Sequence, residues 1–262
     1  MSPVVLHDEE TGPATAPVLL LGASLGATGA MWEPQVSALQ RRLRLVRFEH
    51  RGHGSSPAPK GPYSIAGLGE DVLALMDRLD IERAAYCGLS LGGMVGQWLA
   101  SAAPSRIDRL ILICTSAHLP PAEGWRERAA TVRAAGTPAV VADAVVARWF
   151  TASYAERNPR TVARHRQMIA SVAPEGYAGC CEAIATMDLR AALTRITAPT
   201  LVIAGRQDPA TPPQHAETIT AAVDDARLVV LDPAAHLSSV ERAGDVTRLI
   251  AEHLATPTGD DR

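Results

Sequence analysis

A chain of 262 residues is long enough for one large α/β domain with an insertion, or for two small domains. Its 47% apolar and 20% charged residues are ordinary for a globular protein, and a net charge of −3 without a dense Lys/Arg run excludes nucleic acid and an anionic membrane surface as main partners. Met1 to Glu10 shows no basic leader with an apolar core, and no stretch approaches the ~18 apolar residues of a membrane helix. Cys87, Cys114, Cys180 and Cys181 have neither a disulfide framework nor metal-ligand spacing, so the expected compartment is a reducing cytoplasm and no metal site is expected.

In chain order, Val4 to His7 reads as a short edge strand. Pro17 to Gly22 is a continuous apolar run, as in a strand buried on both faces of a parallel sheet. A small-residue loop, Ala23 to Gly29, leads to a helix near Trp32 to Gln40, and Arg44 to Phe48 is the next strand. A polar loop follows, Glu49-His50-Arg51-Gly52-His53-Gly54-Ser55-Ser56, and runs on through Pro57, Pro59 and Pro62. Leu68, Val72, Leu75, Met76 and Leu79 then recur at helical spacing between Ser64 and Leu79. Ala84 to Leu89 is a strand and Leu91 to Ala103 a helix stopped by Pro104; Leu110 to Thr115, Thr200 to Ala204 and Ala226 to Leu231 are further strands. Val240 to Leu254 is a closing helix, and Ala255 to Arg262 is expected to fray.

Strands alternating with helices imply right-handed crossovers and a mostly parallel, doubly wound α/β sheet. Between Thr115 and Thr200 the alternation stops, and helical patterns cover Glu123 to Ala135, Pro138 to Phe150, Pro159 to Ala173 and Glu175 to Met187. Residues 116–199 are therefore read as a helical cap inserted into a core of residues 1–115 and 200–262. Trp125, Trp149, Phe150, Tyr154 and Tyr177 lie in this segment, half of the ten aromatics, either lining a pocket over the strand ends or holding the cap helices together.

The stretch Gly88-Leu89-Ser90-Leu91-Gly92-Gly93 places a serine at a tight strand-to-helix turn, where its neighbours two before and two after must lack bulk. A hydroxyl held there stands clear of the sheet beside backbone N–H groups that can receive a developing oxyanion. An activated serine needs a base, and the base an orienting acid. Only loops after strand C-terminal ends share its face of the sheet. His7, His165, His215 and His253 are elsewhere. Among His50, His53, His118 and His236, the last directly follows the final strand and is the expected base, while His53 between two glycines reads as a loop support and His50 has no assigned role. The same logic selects Asp208, after the preceding strand in a proline-rich loop, over Asp224 and Asp225 at the wrong end of the sheet. The oxyanion donors are expected to be the N–H groups of Leu91 and Leu25, with the Ser24 hydroxyl as an alternative to the latter.

The order Ser, Asp, His, each after a strand, is the one the α/β-hydrolase architecture produces. With these residues in view, nearly the whole chain resembles an α/β-hydrolase and most closely the 3-oxoadipate enol-lactonases of the β-ketoadipate pathway. The resemblance rests on Ser24-Leu-Gly26, Met31 to Gln35, Arg51 to Ser55 and Cys87 to Trp98 in the core. In the cap it rests on Pro121 to Trp125, Arg148 to Thr151 and Glu175 to Ala178 with Cys180-Cys181, and beyond it on Ala204 to Pro213. Two positions depart from the wider superfamily: Ala23-Ser24 stand where many hydrolases carry His-Gly, and Glu49 replaces the usual aspartate before the Arg-Gly-His-Gly loop.

The resemblance implies hydrolysis of 3-oxoadipate enol-lactone to 3-oxoadipate in protocatechuate catabolism, through an acyl-enzyme and without metal or cofactor. The partner is then a small lactone with a free carboxylate, met by a pocket drawn from Ser24, Trp125, Arg128, Arg148 and Trp149, where each arginine is either a pocket cation or a solvated surface charge. Some relatives are fused to a carboxymuconolactone decarboxylase domain, so the chain is expected to be either a stand-alone enzyme or one part of a larger polypeptide; a homo-oligomer is left open. Rival readings are a carboxylesterase or a cofactor-free perhydrolase on the same scaffold, or a ligand receptor with a slow triad.

Overall fold

The computed structural model describes residues 2–255. Seven strands form one sheet: β1 (Asp8–Thr11), β2 (Val18–Gly22), β3 (Arg44–Phe48), β4 (Ala84–Leu89), β5 (Ile107–Ile113), β6 (Thr200–Gly205) and β7 (Ala226–Leu231). Their spatial order is β1-β3-β2-β4-β5-β6-β7, with β1 antiparallel to β3 and the remaining pairs parallel. The central strands are the near-continuous apolar runs, and every residue of β4 and β6 is buried. A strand covered on both faces excludes polar side chains from both, which is why these runs do not alternate.

The helices are α1 (Glu33–Leu39), α2 (Ile65–Arg78), α3 (Leu91–Ala102), α4 (Ala122–Ala135), α5 (Ala139–Trp149), α6 (Ala152–Arg157), α7 (Pro159–Ala170), α8 (Pro174–Thr186), α9 (Pro213–Ala222), α10 (Ser238–Glu241) and α11 (Ala243–Ala255). The crossover from β2 to β3 runs one way along the sheet, and those from β3 to β4, β4 to β5 and β6 to β7 run the other. Right-handed connections therefore put α1 on one face and α2, α3 and α9 on the opposite one. Helix α11 joins α1, against which it packs. The direction reverses between β2 and β4, so a crevice opens at their C-terminal ends, where the loop after β2 meets the turn after β4. Helices α4 to α8 sit between β5 and β6 in the chain.

Four boundaries differ from the sequence reading. The edge strand is Asp8–Thr11 and not Val4 to His7. It is held by backbone pairing to β3 and by Glu9–Arg47 and Glu10–Arg44 ion pairs across the two strands. Strand β5 begins at Ile107, three residues earlier than its apolar run. Helix α6 is an additional short helix capped by Thr151, whose hydroxyl accepts from the Tyr154 N–H. The closing helix is broken at Arg242 into α10 and α11. The expected fraying of the C-terminus falls on residues outside those described, apart from Ala255, which ends α11.

Candidate active site

The turn between β4 and α3 holds Ser90 at φ 54° and ψ −112°, a conformation that L-residues rarely adopt. The surroundings enforce it. The Ser90 N–H donates to the Ile113 carbonyl at 2.9 Å, and the Thr115 hydroxyl donates to the Ser90 carbonyl at 2.7 Å. The flanking glycines are required by contact: a Cβ on Gly88 would lie 2.3 Å from the Gly92 backbone, and one on Gly92 would lie 2.2 Å from the Gly22 carbonyl oxygen. Close packing of β2, β4 and α3 thus fixes where the hydroxyl stands.

His236 follows β7 and Asp208 follows β6, and His236 Nδ1 lies 2.7 Å from Asp208 Oδ2 with both side chains buried. Asp208 is further held by the Thr211 hydroxyl, donating to Oδ2 at 2.7 Å, and by the N–H groups of Ala210 and Thr211, donating to Oδ1 at 2.8 and 3.1 Å. Burial pushes this carboxyl up, but the His236 charge and the donors from His236 and Thr211 outweigh it and hold its pKa below the ordinary carboxylate value. An ionised carboxylate only accepts, so His236 must carry its proton on Nδ1, which leaves Nε2 as the basic nitrogen. Such an arrangement can take a proton from a neighbouring hydroxyl and return it to a leaving group.

The loop carrying His236 is tied to the end of α5 and the start of α6. The Leu237 N–H donates to the Trp149 carbonyl at 2.8 Å. Glu241 accepts from the Ala235 N–H at 3.0 Å, from the Thr151 N–H at 3.3 Å and from the Thr151 hydroxyl.

The loop after β2 is fastened residue by residue. The Ser24 N–H meets Met31 Sδ at 3.4 Å, the Gly26 N–H donates to His53 Nε2 at 3.0 Å, and the Ala27 N–H donates to the Ser24 carbonyl at 2.9 Å. The Ala23 carbonyl accepts from the Gly92 N–H at 3.0 Å and from His50 Nε2 at 3.1 Å. Since His53 Nε2 accepts, its Nδ1–H must be the donor to the Arg51 carbonyl 3.0 Å away. Burial pushes His53 down to about 4; burial and then the His53 charge push His50 down to about 3 against its bond to Ala23. Both rings are therefore neutral at pH 7. Among the described residues, the N–H groups of Leu25 and Leu91 remain without an acceptor, one beside Ser24 and the other directly after Ser90. Leu25 lines the cavity that holds Ser90, whereas Leu91 is fully buried and is not part of its wall.

One cavity of about 250 Å³ is lined by Ser90, His236, Ser24, Leu25, Trp125, Arg128, Arg148 and Trp149, together with Tyr177 and Thr211. Asp208 lies behind His236, away from the cavity wall. The cap aromatics divide. Trp125, Trp149 and Tyr177 face the cavity, whereas Phe150 and Tyr154 stack on each other at 5.2 Å and Phe150 packs edge-on against His165. Trp125 is anchored by its ring N–H on the Leu119 carbonyl at 3.1 Å, and the Arg128 guanidinium lies 4.5 Å from a Trp125 ring centroid. Thr211 and Glu241 were not singled out from the sequence, and Tyr177 only as one of five aromatics that could line a pocket or hold helices together. Thr211 carried a signal, three residues after Asp208 at turn spacing. Among the described residues no cluster of His, Cys, Asp and Glu could hold a metal ion, the four cysteines are free and buried, and no helix is long and apolar enough to cross a membrane.

Residues 17–243 match the model of the alpha/beta hydrolase fold family. A 3-oxoadipate enol-lactonase from Acinetobacter baylyi is 41% identical over 240 residues, covering 91% of this chain and 89% of the relative. The crystal structure of the enol-lactonase from Burkholderia xenovorans superposes with a TM-score of 0.93 at 44% identity, covering 96% of each chain. A thermophilic esterase from Thermogutta terrifontis, solved with malate bound, superposes with a TM-score of 0.89 at 30% identity, covering 95% of this chain and 92% of that one.

Proposed function

The chain is a hydrolase of the α/β-hydrolase family, and we propose that its substrate is 3-oxoadipate enol-lactone, hydrolysed to 3-oxoadipate in protocatechuate catabolism. The observation that carries this reading is a single cavity combining Ser90 and His236 with two arginines, Arg128 and Arg148, that lack a carboxylate partner. A serine site that must also take an anionic ester needs a cation in its wall, and a guanidinium pairs with a carboxylate through two parallel hydrogen bonds. Likeness to two enol-lactonases and to an esterase solved with malate supports the choice.

In this mechanism Ser90 Oγ attacks the lactone carbonyl while His236 Nε2 takes its proton, and Asp208 stabilises the imidazolium. The N–H groups of Leu25 and Leu91 hold the tetrahedral oxyanion, a contribution of about 3–4 kcal/mol per donor. Collapse breaks the ring C–O bond. The leaving oxygen is an enol, a better leaving group than an alkoxide; it takes the proton from His236 and tautomerises to the ketone. Water activated by the same histidine then cleaves the acyl-enzyme. The cavity is below the roughly 300–1,000 Å³ of drug-sized pockets, which suits a small ring.

The test is loss of enol-lactone absorbance with wild-type protein and Ser90→Ala, beside a simple uncharged ester. Rapid lactone turnover that falls at least ~10⁴-fold on substitution is the expected result. Faster turnover of the uncharged ester would replace the lactonase reading with a carboxylesterase. Activity surviving in Ser90→Ala would overturn the mechanism.

A further inference from the structure

Arg128 and Arg148 project half-buried into the wall of one cavity, and among the described residues no carboxylate comes within ion-pairing distance of either. Burial, and then the charge of Arg128, lower the pKa of Arg148. The buried Tyr177 hydroxyl has Arg128 as its polar neighbour yet closes no hydrogen bond of good geometry with it. Two like charges and an unsatisfied hydroxyl in one small cavity are costly when it is empty, and a ligand carrying matching negative charge removes the cost.

The two cations reach the cavity from different helices. Arg148 is in the last turn of α5, the end of that helix fastened to the triad loop, since the carbonyl of its neighbour Trp149 accepts the Leu237 N–H beside His236 at 2.8 Å. Arg128 is on α4, stacked over Trp125, whose ring N–H is anchored on the Leu119 carbonyl, and no hydrogen bond joins its part of α4 to the His236 loop among the described residues.

Hydrolysis changes the charge of the ligand between these two groups. The lactone enters with one carboxylate. Its acyl C–O bond breaks, the oxygen of water joins the acyl carbon, and one proton goes by way of His236 to the enol oxygen. The second proton leaves as the new acid ionises. The new carboxylate forms on the carbon that was bonded to Ser90, at the Arg148 end.

We propose that the cavity is a two-cation site for a dicarboxylate, in which Arg128 holds the carboxylate the lactone brings and Arg148 the one that hydrolysis creates. The assignment of the second carboxylate rests on the lactone-hydrolase reading. It follows that product is held more tightly than substrate and competes with it as it accumulates.

Binding to Ser90→Ala protein, which cannot turn over, tests this without the reaction. Calorimetric titration compares adipate, a six-carbon dicarboxylate, with hexanoate, a monocarboxylate of the same length. Adipate is expected to bind at least tenfold more tightly. Adding Arg148→Gln should reduce that advantage to under threefold while changing the hexanoate affinity less than threefold, with folding checked by circular dichroism and Tm. Equal binding of the two acids, or an adipate preference that survives Arg148→Gln, overturns the proposal. The two readings fail separately: adipate preference in a protein that does not open the lactone sinks the reaction and keeps the dicarboxylate site, and lactone turnover without adipate preference does the reverse.

Discussion

The Thr211 hydroxyl, 2.7 Å from Asp208 Oδ2, shares that oxygen with His236. Removing it leaves two backbone donors on Oδ1 but loosens the oxygen that orients the imidazole. Thr211→Val is expected to lower kcat about tenfold at unchanged fold, and Thr211→Ser to restore it, as measured by lactone turnover at saturating substrate. The residues proposed for catalysis were legible because each directly follows a strand, and the strands are apolar runs that announce themselves. Their supports were harder to read. Glu241 reaches the His236 loop and Thr151 from a helix break that apolar periodicity does not mark. Tyr177 lines the cavity only because of how α8 is rotated, which neighbouring helices decide.

At the scale of elements, α8 is clasped to the loop after β3 by backbone contact. A Cβ on Gly176 would lie 2.3 Å from the Gly52 Cα, and one on Gly52 2.2 Å from the Gly176 Cα; the Ala173 N–H donates to the Gly52 carbonyl at 3.1 Å. Gly176→Ala is expected to cost about 1–3 kcal/mol in urea unfolding, because neither backbone can yield without moving its element, and to speed proteolytic nicking within the cap. The central strands and long amphipathic helices followed from hydrophobic pattern alone. β1 was misplaced because it is mostly polar: edge pairing and cross-strand ion pairs hold it, while the apolar Val4 to Leu6 stretch precedes it. Helix α6 escaped notice because six residues give too short a period to see.

For the molecule as a whole, two neutral imidazoles beneath the site make stability depend on pH. His53 titrates at about 4 and His50 at about 3 in the folded protein, against 6.5 unfolded. Between those limits the unfolded chain binds more protons, so stability is complete above pH 6.5 and is lost as pH falls toward 4, by on the order of 3 kcal/mol from His53 alone. Thermal denaturation across that range should show a falling Tm, and His53→Gln, which keeps one acceptor for Gly26 and cannot charge, should flatten the fall. The doubly wound architecture was legible because a parallel sheet writes itself as buried runs separated by helices; cap helices say far less about how they are oriented. The Gly52–Gly176 clasp also divides the molecule for evolution. α8 is frozen onto the core, since a change on either side of that contact finds no room, whereas α4 and α5 present Trp125, Arg128 and Arg148 through exchangeable side chains. Descendants of such a chain can explore new acids and esters on those two helices while the residues proposed to move the proton inherit an unaltered foundation.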